Sequence, residues 1–265
     1  MSEHDNNLFA VVTGGSSGIG YELARQFLDN GYDVLIAAED EAGLAAATRS
    51  LPGDSAAQLT SHAADLANED GVDSLYRAIG DRPVDVLCVN AGIGLGGSFM
   101  ETDLQTELRM IDLNCRGAVQ LTKLVGKDMV ARDSGKLLFT SSIAATMPDP
   151  FEAVYGSTKV FLRWFGEALR EELKDTKVGV TVLMPSVTDT NFFGRADMLD
   201  TKAGASDKKD DPAMVAKAAF DALMADKDKV VPSLKNKVMA AVADALPDTL
   251  AAKVHRGMSQ PGSAS

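Results

Sequence analysis

The sequence predicts one α/β domain on a doubly wound parallel sheet of about seven strands, with a helical extension at the carboxyl end. Three observations predict it. Short runs rich in Val, Leu and Ile alternate with longer segments of helical period, the order that βα repeats produce. Those apolar runs are nearly continuous, which implies strands buried on both faces. No Pro/Gly/Ser linker divides the 265 residues, a length suited to one large core.

Strands are expected at 8–14 (LFAVVTG), 33–38 (DVLIAA), 58–64 (QLTSHAA), 84–92 (VDVLCVNAG), 135–142 (GKLLFTSS), 178–185 (VGVTVLMP) and, more weakly, 228–233 (DKVVPS). Between the first two, GYELARQFLDNG has apolar residues at i, i+3 and i+4 and ends at Gly31, a suitable C-cap. The polar stretch 193–211 is too long for a simple connection and reads as a lid over a binding site. After it, Asp211 and Pro212 suit the N-cap and first residue of a helix. The domain is expected to span 1–233. Residues 234–257 read as one or two amphipathic helices and SQPGSAS as a frayed tail, together forming an extension over 234–265.

Composition excludes several classes. Asp and Glu outnumber Lys and Arg by 38 to 26, a net charge of −12 that repels nucleic-acid backbones and anionic membranes. Cys88 and Cys115 have no paired spacing, and His4, His62 and His255 form no helical pair, so neither a disulfide framework nor a metal site is expected. Both cysteines read as small packing residues. The amino-terminal residues carry no basic and long apolar leader, and a cytoplasmic location is expected.

The chemistry begins where the first strand runs into TGGSSGIG, Thr13 to Gly20. Gly14, Gly18 and Gly20 permit a tight turn and close approach of the backbone to a pyrophosphate at a helix N-terminus, the Rossmann-like arrangement. At the end of the second strand, Glu39 can accept hydrogen bonds from ribose hydroxyls and repels a 2′-phosphate, which favours NAD(H) over NADP(H). A solvated Glu39 that tolerates either cofactor remains the alternative. Tyr155 and Lys159 in VYGSTK share a helix face. Alone, that spacing reads as an ordinary amphipathic surface.

Together TGGSSGIG, VNAG at 89–92 and the Tyr-x-x-x-Lys of 155–159 resemble the short-chain dehydrogenase/reductase family, over residues 13–190. The resemblance implies a nicotinamide cofactor on Gly14, Ser16, Ser17, Gly18, Ile19 and Gly20. It places the adenine near Asp65 and Leu66, and Asn90, Ala91 and Gly92 along the cleft. It names Asn114, Ser142, Tyr155 and Lys159 as the catalytic set. Ser142 stands thirteen residues before Tyr155, the family's separation. In that reading Ser142 holds the substrate oxygen, Tyr155 exchanges its proton, Lys159 favours the phenolate and binds the nicotinamide ribose, and Asn114 positions a relay water. Pro185, Thr188 and Thr190 would meet the carboxamide, although Ser186 stands where the family usually has Gly.

Members that use NADP often carry Arg at the place of Glu39 or a basic residue at Ser17, and the usual NAD-selecting Asp would fall at Ala38. The resemblance also implies a homodimer or homotetramer through the helices bearing Asn114 and Lys159, with Trp164 and Phe165 in the interface or in the core. Met147, Phe151, Phe192, Phe193 and Met198 would give an apolar substrate wall, and glycine-rich 92–97 little bulk near the nicotinamide. The expected activity is hydride transfer between nicotinamide and a carbonyl or secondary alcohol of a hydrophobic substrate. A non-catalytic NAD(P)-binding redox sensor, or dehydration or epimerisation on the same fold, are the competing readings.

Overall fold

The computed structural model describes residues 7–51, 57–233 and 247–264. Seven strands form one sheet: β1 (Phe9–Thr13), β2 (Asp33–Ala38), β3 (Leu59–Ala63), β4 (Val86–Val89), β5 (Gly135–Thr140), β6 (Val178–Leu183) and β7 (Lys229–Val230). Their order is β3-β2-β1-β4-β5-β6-β7 and every pairing is parallel. From β1 the chain winds outward to β3, then returns to place β4 on the other side of β1. That reversal opens a crevice at the carboxyl ends of β1 and β4, where ligands of open α/β sheets bind.

Helices cover both faces. Against one lie α1 (Gly18–Asp29), α2 (Glu41–Ser50) and α8 (Pro212–Met224), whose Leu23, Phe27, Leu44 and Phe220 pack with Val12, Ile36 and Cys88. Against the other lie α3 (Glu69–Ile79), α5 (Ala118–Ala131) and α6 (Ala153–Glu172), whose Leu75, Leu121, Met129 and Leu162 pack with Val11, Leu87 and Phe139. Three more helices, α4 (Leu104–Ile111), α7 (Phe192–Arg195) and α9 (Asp248–Ser259), border the carboxyl ends of the strands and the loops beyond them. Local chemistry sets the ends: Asp211 Oδ1 accepts from Ala213 N at 2.9 Å with Pro212 as first residue of α8, and Gly31 turns out of α1 at φ +80°.

Several expectations change. The strand at 58–64 is not buried on both faces: β3 is the sheet edge, and its residues are exposed or half-buried. The seventh strand shrinks from 228–233 to two residues, because Pro232 has no amide to continue a ladder. Cys88 is fully buried, but Cys115 is only partly covered. The helices expected in 234–246 lie outside the described residues, and α9 accounts for the rest of that prediction. Residues 260–264 are not frayed, since Gly262 and Ala264 donate their amides to Asp200 at 2.8 and 2.9 Å.

Candidate active site

At the crevice, Thr13 ties β1 to β4. Its hydroxyl donates to Cys88 O at 3.1 Å and accepts from the amides of Asn90 and Ala91 at 2.9 and 3.0 Å, while Asn90 Nδ2 donates to Thr13 O at 3.0 Å. The glycine loop is compact around that knot. Gly14 and Gly18 adopt φ +67° and +58°, and a Cβ on Gly20 would stand 2.1 Å from Gly14 O and 2.5 Å from Asn90 Nδ2. Ser17 makes no side-chain cap bond to α1, and the first turn of that helix holds no acidic residue. The amides and positive dipole end of a twelve-residue helix therefore meet the loop with no internal anion, which fits a pyrophosphate.

The adenosine end contains a residue the sequence did not single out. Arg109 of α4 forks onto Asp65 at 3.0 and 3.1 Å and reaches Glu39 at 2.8 Å. Burial would raise the Asp65 pKa, but the bonds from Arg109 and the Ala67 amide win and hold it below the usual carboxylate range. Leu66, expected beside the adenine, is a buried core residue. Nothing in the spacing of Glu39, Asp65 and Arg109 marks them as a cluster, because three different βα units deliver them.

At the reacting end, α4 passes into a wide π turn over Asp112–Gly117, a feature frequent at functional sites. Asn114 lies in it, fully buried. It donates to Ile93 O at 2.9 Å and Thr158 Oγ1 at 3.0 Å, and accepts from Ile93 N at 3.0 Å. Gly92 separates Asn114 from Lys159: a Cβ there would lie 3.1 Å from Asn114 Oδ1 and 3.3 Å from Lys159 Nζ. Lys159 is buried, donates to Thr140 O at 3.0 Å, and places Nζ 5.7 Å from the centroid of the Tyr155 ring. Burial lowers its pKa to about 8.

Tyr155 shares a hydrogen bond with Ser142, whose Oγ also accepts from Ala144 N at 3.1 Å. Burial pushes the phenol well above its ordinary value, nearby Glu152 and Asp149 add to the rise, and the Ser142 bond opposes it. The phenol is therefore protonated at neutral pH.

The loop after β6 covers this end. Ile143 N donates to Pro185 O at 2.9 Å, Thr188 Oγ1 donates to Ser186 O at 2.8 Å, and Ser186 has no positive φ, so replacing the family's Gly strains nothing. Thr190 lies against Gly18, 3.1 Å from where a Cβ would stand, and its amide donates to Thr188 O at 2.9 Å, so it stands between the glycine loop and Thr188. Phe192 packs on Tyr155 with ring centroids 5.2 Å apart. The space left by the glycines of 92–97 is not open, because a Cβ on Gly94 would meet Phe192 and one on Gly96 would meet Met198, each at 2.5 Å. Phe193 and Met198, expected on the substrate wall, are buried with Ala196 and Ala203 inside the segment 193–211. Met147 and Phe151 stay half-exposed, Phe151 at φ +68°.

An open parallel sheet with a glycine-lined helix terminus at its switch point defines a nucleotide-binding α/β protein. Residues 8–225 match the family described as short chain dehydrogenase. The chain is 32% identical over 212 residues to dehydrogenase/reductase SDR family member 7B of Rattus norvegicus, a match covering 76% of this chain and 65% of that protein's length. A short-chain dehydrogenase from Sphingobium yanoikuyae, solved in complex with NADPH, superposes with TM-score 0.81 at 24% identity, over 90% of this chain and 92% of that one. Another from Burkholderia phymatum, in complex with NAD, gives TM-score 0.81 at 22% identity over 91% and 94%. The protein belongs to the short-chain dehydrogenase family, whose members are nicotinamide-dependent oxidoreductases.

Proposed function

We propose that the protein is an NAD(H)-dependent oxidoreductase acting on a carbonyl or secondary alcohol of a hydrophobic substrate, with Tyr155 as the proton donor and acceptor. The observation that carries this reading is the hydrogen bond between Tyr155 and Ser142 beside the buried ammonium of Lys159. When bound, the dinucleotide supplies or accepts the hydride. The loop 14–20 holds its phosphates, Glu39 and Asp65 its adenosine, and Lys159 with Pro185 and Thr188 its nicotinamide half. Ser142 then orients the substrate oxygen, and Tyr155 gives that oxygen the proton in reduction or takes it in oxidation. Asn114, with both amide hydrogens donated and its oxygen accepting from Ile93 N, ties the segment after β4 to Thr158 of α6.

Three finer assignments accompany this reading. NAD(H) is the cofactor, because Arg109 is already neutralised by two carboxylates and offers no free cation to a 2′-phosphate, whereas Glu39 remains 68% exposed to meet ribose hydroxyls. The substrate is apolar, because the Phe192 ring packs on that of Tyr155. The working form is a two-fold assembly through α4 and α6, where Leu104, Leu108 and Ile111 (i, i+4, i+7) and Phe161 and Trp164 are exposed.

The test is Tyr155→Phe. Turnover on a ketone panel should fall at least about a hundredfold, while NADH affinity by fluorescence titration stays within about twofold, since only the hydroxyl is lost and the aromatic ring remains. Wild-type turnover in the variant would sink the proposal.

A further inference from the structure

The carboxyl-terminal element grips both loops that flank Tyr155. On one side, α9 holds segment 147–152, the loop that leads into α6. His255 Nδ1 lies 2.7 Å from Asp149 Oδ1, Ser259 bonds the Glu152 carboxyl, and the Arg256 guanidinium lies 5.4 Å from the centre of the Phe151 ring. On the other side it holds the lid. Met258 O accepts from Ala203 N at 3.1 Å, Ser263 Oγ accepts from Lys202 N at 3.1 Å, and Asp200 takes the amides of Gly262 and Ala264.

The contact to 147–152 is buried and brings titratable side chains together. The Asp149 side chain is 2% exposed and that of His255 14%, with Glu152 and Ser259 also buried. Two carboxylates and an imidazole out of water cost several kcal/mol unless paired, roughly, and apolar side chains would fill the space as well. Such a cluster lends orientation rather than stability. It also sits where orientation matters: a Cβ on Gly156, the residue after Tyr155, would be 2.5 Å from Asp149 Cβ.

We propose that His255 is a positioning residue, which through Asp149 clamps segment 147–152 to α9 and so fixes the substrate side of the cleft around Tyr155. The proposal rests on the assignment of Tyr155 as the proton donor. The charged groups facing one another here are His255 with Asp149 and Glu152, and Tyr155 with the same two carboxylates; Arg256 faces Phe151. Burial raises both carboxyls, Glu152 from 4.5 to about 7, and although burial alone would lower His255, its two acidic neighbours raise it on balance. All three groups thus hold protons more tightly when folded. This linkage favours the folded cluster at low pH and is lost as pH rises through about 7, where Glu152 ionises beside Asp149, while the His255–Asp149 pair is ionic only once Asp149 has lost its proton and while His255 keeps its own.

The test compares wild type, His255→Ala and His255→Gln in substrate kinetics, NADH titration and amide hydrogen exchange. In His255→Ala, KM for the ketone should rise roughly tenfold with kcat changed less and NADH affinity held, because the loops and not the cofactor seat loosen. His255→Gln keeps a donor toward Asp149 without titrating. It should recover most of KM and flatten the contribution of His255 to the pH dependence of KM across about pH 5 to 8. Exchange at Gly97, whose amide bonds Phe151 O, and at Ala203 should quicken in His255→Ala, and in wild type at the upper end of that pH range beyond the intrinsic rate. Equal exchange in wild type and His255→Ala, or an unchanged KM, overturns the clamp. If His255→Ala does not fold, wild-type exchange that ignores pH overturns it equally. A wild type that turns over no carbonyl or alcohol but shows the expected exchange refutes the oxidoreductase reading instead and leaves the clamp standing.

Discussion

Gly20→Ala is the most searching single substitution. The added methyl would sit 2.1 Å from Gly14 O and 2.5 Å from Asn90 Nδ2, and neither can swing away: one is backbone, the other bonds Thr13 O at 3.0 Å. The loop must move outward by about 1 Å, the scale at which overpacking costs about 1–3 kcal/mol. The same displacement shifts the amides that meet the pyrophosphate, so cofactor affinity should weaken by about a hundredfold, because those bonds depend on geometry. Gly31→Ala is the control. Its φ of +80° strains an alanine, but nothing lies within 4 Å of the new methyl. It should cost about 1–2 kcal/mol of stability and leave NADH affinity intact. Urea unfolding without cofactor measures the first quantity and NADH fluorescence titration the second. Wild-type NADH binding by Gly20→Ala, or equal loss in both variants, would refute the argument that close packing of this loop forms the phosphate seat.

Three further outcomes follow from the geometry. If the charged form of Lys159 supports proton transfer, the reductive rate should fall as pH rises through about 8, with a slope of about one decade per unit; a rate that persists to the ordinary lysine value of 10.5 would contradict it. Glu39→Ala removes an exposed carboxylate and frees one arm of Arg109, so the NADPH-to-NADH preference measured as kcat/KM should rise by about two- to fivefold, and an unchanged ratio would remove Glu39 from cofactor choice. Asp211→Ala deletes the cap of α8, which should cost about 1 kcal/mol and lower Tm by about 2–4 °C without altering NADH affinity; an unmoved Tm would show that packing of α8 on α1 suffices.

What could be read in advance was whatever the chain specifies locally. Apolar runs gave six strands to within a residue or two at most ends, because a strand buried between helix layers must be apolar throughout. β3 escaped that logic as an edge, and β7 was overestimated because Pro232 ends its ladder. The glycine loop, Ser142, Tyr155 and Lys159 were legible because each falls at a fixed offset from a strand end or on one helix face.

Other parts of the site depend on side chains far apart in sequence. Arg109 joins Glu39 and Asp65 only because α4 crosses the ends of β2 and β3. Phe192 fills the hollow beside Gly94, where the sequence suggested open space, and His255 meets Asp149 across 106 positions. Burial likewise raises the Tyr155 pKa and lowers that of Lys159, effects that free-solution values do not contain.

The sequence by itself determined the sheet, the glycine turn and the shared helix face of Tyr155 and Lys159, since periodicity, glycine and helix spacing act within a few residues. Only the tertiary structure decided how charge is shared among Glu39, Asp65 and Arg109 and what packs on Tyr155, because Coulomb energy and desolvation depend on distances between segments that the linear order does not bring together.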